Sequence, residues 1–135
     1  MKYTALALVP VLMLLGAPIV QAADLNEVAD HGRGFDDVDR AYASMDSKYA
    51  REGVSRTPQQ LRQLAIGQTP EQVVAILGSP VTTDSTGWHY NVSLPMDRAD
   101  ELVCQYKVQF NQDRTLAGGI WPRPQCAAIA TQPAF

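Results

Sequence analysis

Two histidines and two cysteines are the residues of this sequence best suited to chemistry. His31 sits in Ala29-Asp30-His31-Gly32, and His89 in Trp88-His89-Tyr90-Asn91. A catalytic zinc needs three protein ligands at defined spacing, and Asp30 beside His31 is the sole acidic neighbour of either histidine. The run Ala29 to Asp39 is acidic, but it lacks the alternating acids and terminal Glu of a calcium loop. There is no G-x-S-x-G, no phosphate-binding loop and no dinucleotide fingerprint. Ser, His and Asp are all present, yet no spacing orders them as a triad. The reading is a protein that is not an enzyme, with no catalytic residue, metal or cofactor assigned. The sequon Asn91-Val92-Ser93 lies inside a strand pattern and is treated as a chance match.

The cysteines, Cys104 and Cys126, are read together with the start of the chain. Lys2 precedes an apolar run from Ala5 to Leu15, and Val20-Gln21-Ala22 has a small-x-small cleavage pattern. This predicts a secretory signal peptide over residues 1–22. The run is short for a membrane span, which needs about 20 residues. Pro18 stands where a lipoprotein would carry its acylated Cys, so no lipid anchor is expected. The expected location is the periplasm, in soluble form after cleavage. An even cysteine count in an exported chain favours a disulfide over a redox pair, because the two are not arranged as C-x-x-C. The 135 residues argue for one domain, and the formal net charge of −3, with scattered Lys and Arg, gives no case for nucleic acid.

Several elements must position these residues. Residues 23–34 are polar, carry two glycines and read as a flexible lead-in. Phe35, Val38, Tyr42, Met45 and Tyr49 follow at spacings of 3, 4, 3 and 4. That spacing predicts an amphipathic helix over 35–53, closed by Gly53. Its stripe can pack on its own domain, or serve as a partner-binding or dimerising face. Next come two helix starts with one grammar, Thr57-Pro58-Gln59-Gln60 and Thr69-Pro70-Glu71-Gln72. In each, Thr caps, Pro fits the first helical position, and Gln can reach back to close a capping box. Gly67 and Gly78 end the two helices.

Alternation then takes over. Trp88, Tyr90, Val92 and Leu94 alternate with polar residues, as do Leu102, Cys104, Tyr106, Val108 and Phe110. A turn at 112–114 leads to Thr115–Trp121. Pairing Phe110 with Leu116 sets Val108 opposite Gly118, Tyr106 opposite Ile120 and Cys104 opposite Pro122. Trp121 then faces away from the core, as a candidate binding anchor, or else covers the neighbouring glycines or packs under the C-terminal tail. The expected fold class is α+β, a two-layer ααβββ domain. Two short helices pack on a three-stranded antiparallel sheet, with the additional N-terminal helix.

The stretch Gly67-Gln68-Thr69 to Gly78-Ser79-Pro80 resembles the signature of the BamE family, also called SmpA/OmlA. The matching positions are Gly67, Thr69, Val73, Leu77, Gly78 and Pro80. Trp88-His89-Tyr90 resembles the family's W-x-Y, and Phe110, Asp113 and Leu116 its F-x-x-D-x-x-L hairpin. The resemblance covers roughly residues 57 to 121; the BamE-like domain is placed over 57–126, with residues 127–135 as a C-terminal tail. It implies a non-enzymatic protein-interaction role in outer-membrane or envelope protein assembly, with another envelope protein as partner. Secreted β-lactamase inhibitors share the fold, so the alternative use it implies is inhibition of an exported enzyme.

Overall fold

In the computed structural model, residues 25–35, 40–45, 51–97 and 100–133 are described. The predicted signal peptide therefore lies outside the described residues. The centre is an antiparallel meander of β5 (Gly87–Pro95), β6 (Glu101–Phe110) and β7 (Leu116–Trp121). These are the three strands that alternation predicts. Among the described residues the sheet nevertheless has seven strands and is mixed, which corrects the expected three-stranded sheet.

The four additional strands are short and line the meander's edges. β1 (Glu27–Val28) runs parallel to β7, and β3 (Val54–Ser55) runs parallel to β5. β2 (Ala41–Tyr42) is antiparallel to β6, and β4 (Thr82–Asp84) is antiparallel to β5. The physical reason is unpaired backbone: each exposed strand edge presents N–H and C=O groups that need partners. A two-residue strand leaves no periodicity in the sequence.

The expected helix over 35–53 is overturned at its centre. Ala41 pairs with Val103 and Tyr42 with Leu102. Met45 turns back, its N–H donating to the Tyr42 carbonyl at 3.0 Å while its sulfur accepts from the Tyr42 N–H at 3.2 Å. The apolar spacing was compatible with a helix, but the open backbone of β6 offered more than a two-heptad stripe could. Val38 and Tyr49 lie outside the described residues.

Both capping boxes form. The Thr57 hydroxyl accepts from the Gln60 N–H at 3.2 Å, and the Gln60 amide oxygen accepts from the Thr57 N–H at 2.8 Å. Thr69 and Gln72 repeat this at 3.2 and 2.9 Å. They start α1 (Pro58–Leu61) and α2 (Pro70–Leu77). A third helix, α3 (Pro124–Ala130), follows β7. The sequence reading assigned no helix here; Pro124 occupies the first helical turn, where its missing N–H costs nothing.

The helices cover one face of the meander. Val73 and Leu77 of α2 and Ile129 and Ala130 of α3 join Tyr90, Val92, Leu94, Leu102, Tyr106 and Val108 in the core. Register explains how Trp121 enters it. Phe110 pairs with Leu116 as expected, but Gln109 pairs with Gly118, Val108 with Gly119 and Lys107 with Ile120. Ala117 is thus an extra residue on β7, a β-bulge, and beyond it every side chain changes face. Trp121 is 1% exposed and lies 4.1 Å, centroid to centroid, from Tyr106. The exposed-anchor reading of Trp121 does not hold.

Cys104 and Cys126 form a disulfide, with Cα atoms 6.1 Å apart, that fixes α3 to the core face of β6. Both cysteines are buried. Closing a loop of this separation, 22 residues, reduces the entropy of the unfolded chain by about 3 kcal/mol in the chain-entropy model. Replacing both, Cys104→Ala with Cys126→Ala, is expected to cost about 2–4 kcal/mol in chemical denaturation. Thiol titration of the native protein under denaturing, non-reducing conditions should find no free thiol.

Candidate functional site

The signature residues are spent on one another. Gly67 has φ +91°, a backbone that favours glycine. That turn lets the Gly67 N–H donate to the Leu116 carbonyl at 2.8 Å, while the Leu116 N–H donates to the Gln68 carbonyl at 2.8 Å. The link between α1 and α2 therefore behaves as one more pairing on the edge of β7. Gly78, at φ +80°, ends α2 by donating to the Val74 carbonyl at 2.8 Å. Its own carbonyl accepts from the Tyr90 hydroxyl at 2.9 Å. Burial raises the Tyr90 phenol to about 12, so it stays a donor throughout the physiological range.

Trp88 and Phe110 pack with centroids 4.7 Å apart. Asp113 closes the β6–β7 hairpin, accepting from the Thr115 N–H at 3.1 Å and its hydroxyl at 2.6 Å. Thr69 caps α2, and Val73 and Leu77 are buried beneath it. Pro80 follows the end of α2. These positions build the fold.

The histidines diverge. His31 is 96% exposed on its side chain, beside Asp30. His89 meets Asp84 across the tight β4–β5 hairpin, Nε2 to Oδ2 at 2.8 Å. The other Asp84 oxygen accepts from the Thr86 N–H at 2.7 Å and the Thr86 hydroxyl at 2.6 Å. The Thr86 bonds, hydroxyl first, and then His89 hold the Asp84 carboxyl down to about 2. The group clasps a hairpin. Sequence reading missed this pair because β4 is too short to show alternation. Among the described residues, no three His, Cys, Asp or Glu side chains gather as a metal site.

The sheet face opposite the helices is the larger feature. His89 pairs with Lys107, Asn91 with Gln105, and Ser93 with Val103. Phe35, Asp84, His89, Asn91, Gln105 and Lys107 line a trough of about 350 Å³ there. Lys107 is only 6% exposed. Its ammonium donates to the Gly34 carbonyl at 2.9 Å and lies 5.3 Å from the centre of the Phe35 ring. Lower on the face, Ser93 and Ser55 hydroxyls both donate to Glu101 Oε2, at 2.8 and 3.2 Å. Of the candidate partner-binding residues, Phe35 rests against this face. Tyr42 packs against the helix-side core, and Trp121 is in it.

Two expectations follow. Gly67→Ala should lower the denaturation midpoint by about 1–2 kcal/mol in stability, the cost of a side chain in a left-handed turn. The Asp84 carboxyl is depressed on folding from 3.8 to about 2. Its contribution is present above about pH 4 and lost as pH falls through about 2. Asp84→Asn should flatten the acid limb of the stability profile in that window, as followed by denaturation at a series of pH values.

No helix among the described residues is long and apolar enough to cross a membrane. No curated protein matches the chain. Residues 53–118 match the family model described as the outer membrane protein assembly factor BamE domain. The matched span opens at Gly53, just before β3, and closes in β7, so it contains α1, α2, the whole of β5 and β6, and the contacts made by the signature residues. Those residues, 53–118, are a BamE-family domain.

Proposed function

We propose that this chain is a non-enzymatic protein-interaction domain of the periplasm that assists outer-membrane or envelope protein assembly by binding another envelope protein. The observation that carries this reading is the match over 53–118 to the assembly-factor domain. The structure supports it from the side of chemistry. The signature residues serve the fold, Asp84 and His89 clasp a hairpin, and the sulfurs are joined in a buried disulfide. What remains for function is surface, which is what a binding module needs. The buried disulfide suits an oxidising compartment such as the periplasm.

In vivo cross-linking followed by purification of the tagged full-length chain from its own envelope should recover a component of the barrel-assembly machinery. Its deletion should reduce β-barrel proteins in the outer membrane. Recovery without any such component, with barrel levels unchanged, would remove the assembly role.

A further inference from the structure

The trough on the sheet face opposite the helices holds a charge that the described residues do not balance. Lys107 lines it and is only 6% exposed. Its ammonium has three N–H donors. One goes to the Gly34 carbonyl at 2.9 Å, and the Phe35 ring centre lies 5.3 Å away. No described carboxylate comes within ion-pair distance of it. Asp84, the one carboxylate on the trough's described lining, is taken up by Thr86 and His89. A buried charge is ordinarily paired, because an uncompensated ion away from water is costly.

A second group beside it points the same way. On β6, Gln105 pairs with Asn91, and two residues on Lys107 pairs with His89. Side chains two apart on a strand share a face, so Gln105 and Lys107 are neighbours there. The Gln105 Oε1 is buried and accepts no hydrogen bond. An unpaired acceptor shut off from bulk water marks a place where a donor belongs.

Glycine keeps the approach to the ammonium open. Gly34 has φ +87°, and a Cβ there would stand 3.2 Å from Lys107 Nζ. The left-handed turn sets a carbonyl on the ammonium with no side chain crowding it.

These features together describe a ligand. A carboxylate suits the Lys107 ammonium, but a bare carboxylate such as acetate brings no donor for Gln105. An acidic side chain on a peptide brings both, since main-chain N–H groups flank it. The trough, at about 350 Å³, is in the size range of sites that take such groups.

We propose that the trough is a binding site for an acidic side chain, Asp or Glu, presented by a partner protein. Lys107 takes the carboxylate in a charge-assisted bond, and Gln105 Oε1 accepts a main-chain N–H beside it. The contacts of Gly34 and Phe35 with Lys107 are kept, and the Phe35 ring screens the new pair from water, which strengthens it. The inference rests on the reading that the chain binds another envelope protein, and it names the chemistry that partner presents.

The test uses the isotope-labelled full-length chain and two blocked tripeptides, acetyl-glycyl-glutamyl-glycinamide and its glutaminyl counterpart, followed by amide chemical shifts. The glutamyl peptide should shift the amides of Asn91, Gln105 and Lys107 saturably. It should bind at least about tenfold more tightly than the glutaminyl peptide, the difference one charge-assisted hydrogen bond makes. Lys107→Met should abolish that preference. Gln105→Leu should weaken both peptides by a similar factor, because both main chains use the same acceptor. Equal binding of the two peptides by the wild type would overturn the proposal, as would failure of both to shift these amides. Acetate binding as tightly as the glutamyl peptide would also overturn it, by showing a site for any small anion. Should either variant not fold, the wild-type comparison of the two peptides and acetate decides alone. None of these readouts depends on recovering an assembly component from the envelope, so this site can fail while the assembly role stands.

Discussion

β6 is ten residues long and β7 is six. That mismatch governs the rest of the molecule. β7 pairs with the second half of β6 and leaves the backbone of its first half open on that side. β5 has the same problem along its outer edge. A short domain cannot leave such groups unpaired in a partly buried sheet without losing about 1–3 kcal/mol for each. The chain answers with fragments. β2 completes β6, β4 and β3 complete the two ends of β5, and β1 with the Gly67–Gln68 link completes β7. Three strands from the pattern and four from the need for partners make one mixed sheet.

The same logic separates what the residues announce from what they do not. The two capping boxes are local, each decided within four residues, so they were legible and formed. The meander strands were legible because one face of each is buried and alternation records it. The short edge strands β1, β2 and β3 were not legible, because a two-residue strand is selected by a distant edge and leaves no trace in its own composition. The apolar spacing of Phe35, Tyr42 and Met45 was real, but it recorded separate contacts with different surfaces. Trp121 failed for a sharper reason. One inserted residue, Ala117, reverses the facing of everything after it. Gly118 and Gly119 were the available signal, since glycines in a strand often mark a bulge or a close approach. A Cβ at Gly119 would collide with the Tyr106 hydroxyl.

The candidate site divides in the same way. The signature could be picked out by its order along the chain, and the structure gives it a cause. Gly67 needs Leu116, Gly78 needs Tyr90, and Trp88 needs Phe110. Each pair joins a helix end or a strand to a partner distant in sequence, so the pattern specifies closure of the fold. The Asp84–His89 clasp and the trough over Lys107 were hidden, because they arise from hairpin register and from the approach of Gly34 and Phe35 to the sheet.

The short edge strands also set an order of assembly. β1 finds its partner at Ile120 and Trp121, β2 at Leu102 and Val103, and β3 at Val92 and Ser93. Every one of those strands is made after the segment that pairs with it. A growing chain thus carries Glu27 and Val28 without their β-partners until β7 has emerged, and the two ends of the sheet's chain order meet late. Leu25 and Ala130 line the same cavity of about 260 Å³ once they do. Such long closures are entropically costly and slow. The earliest strand in the chain is therefore among the last to dock, because its partner edge on β7 is the last strand to be made.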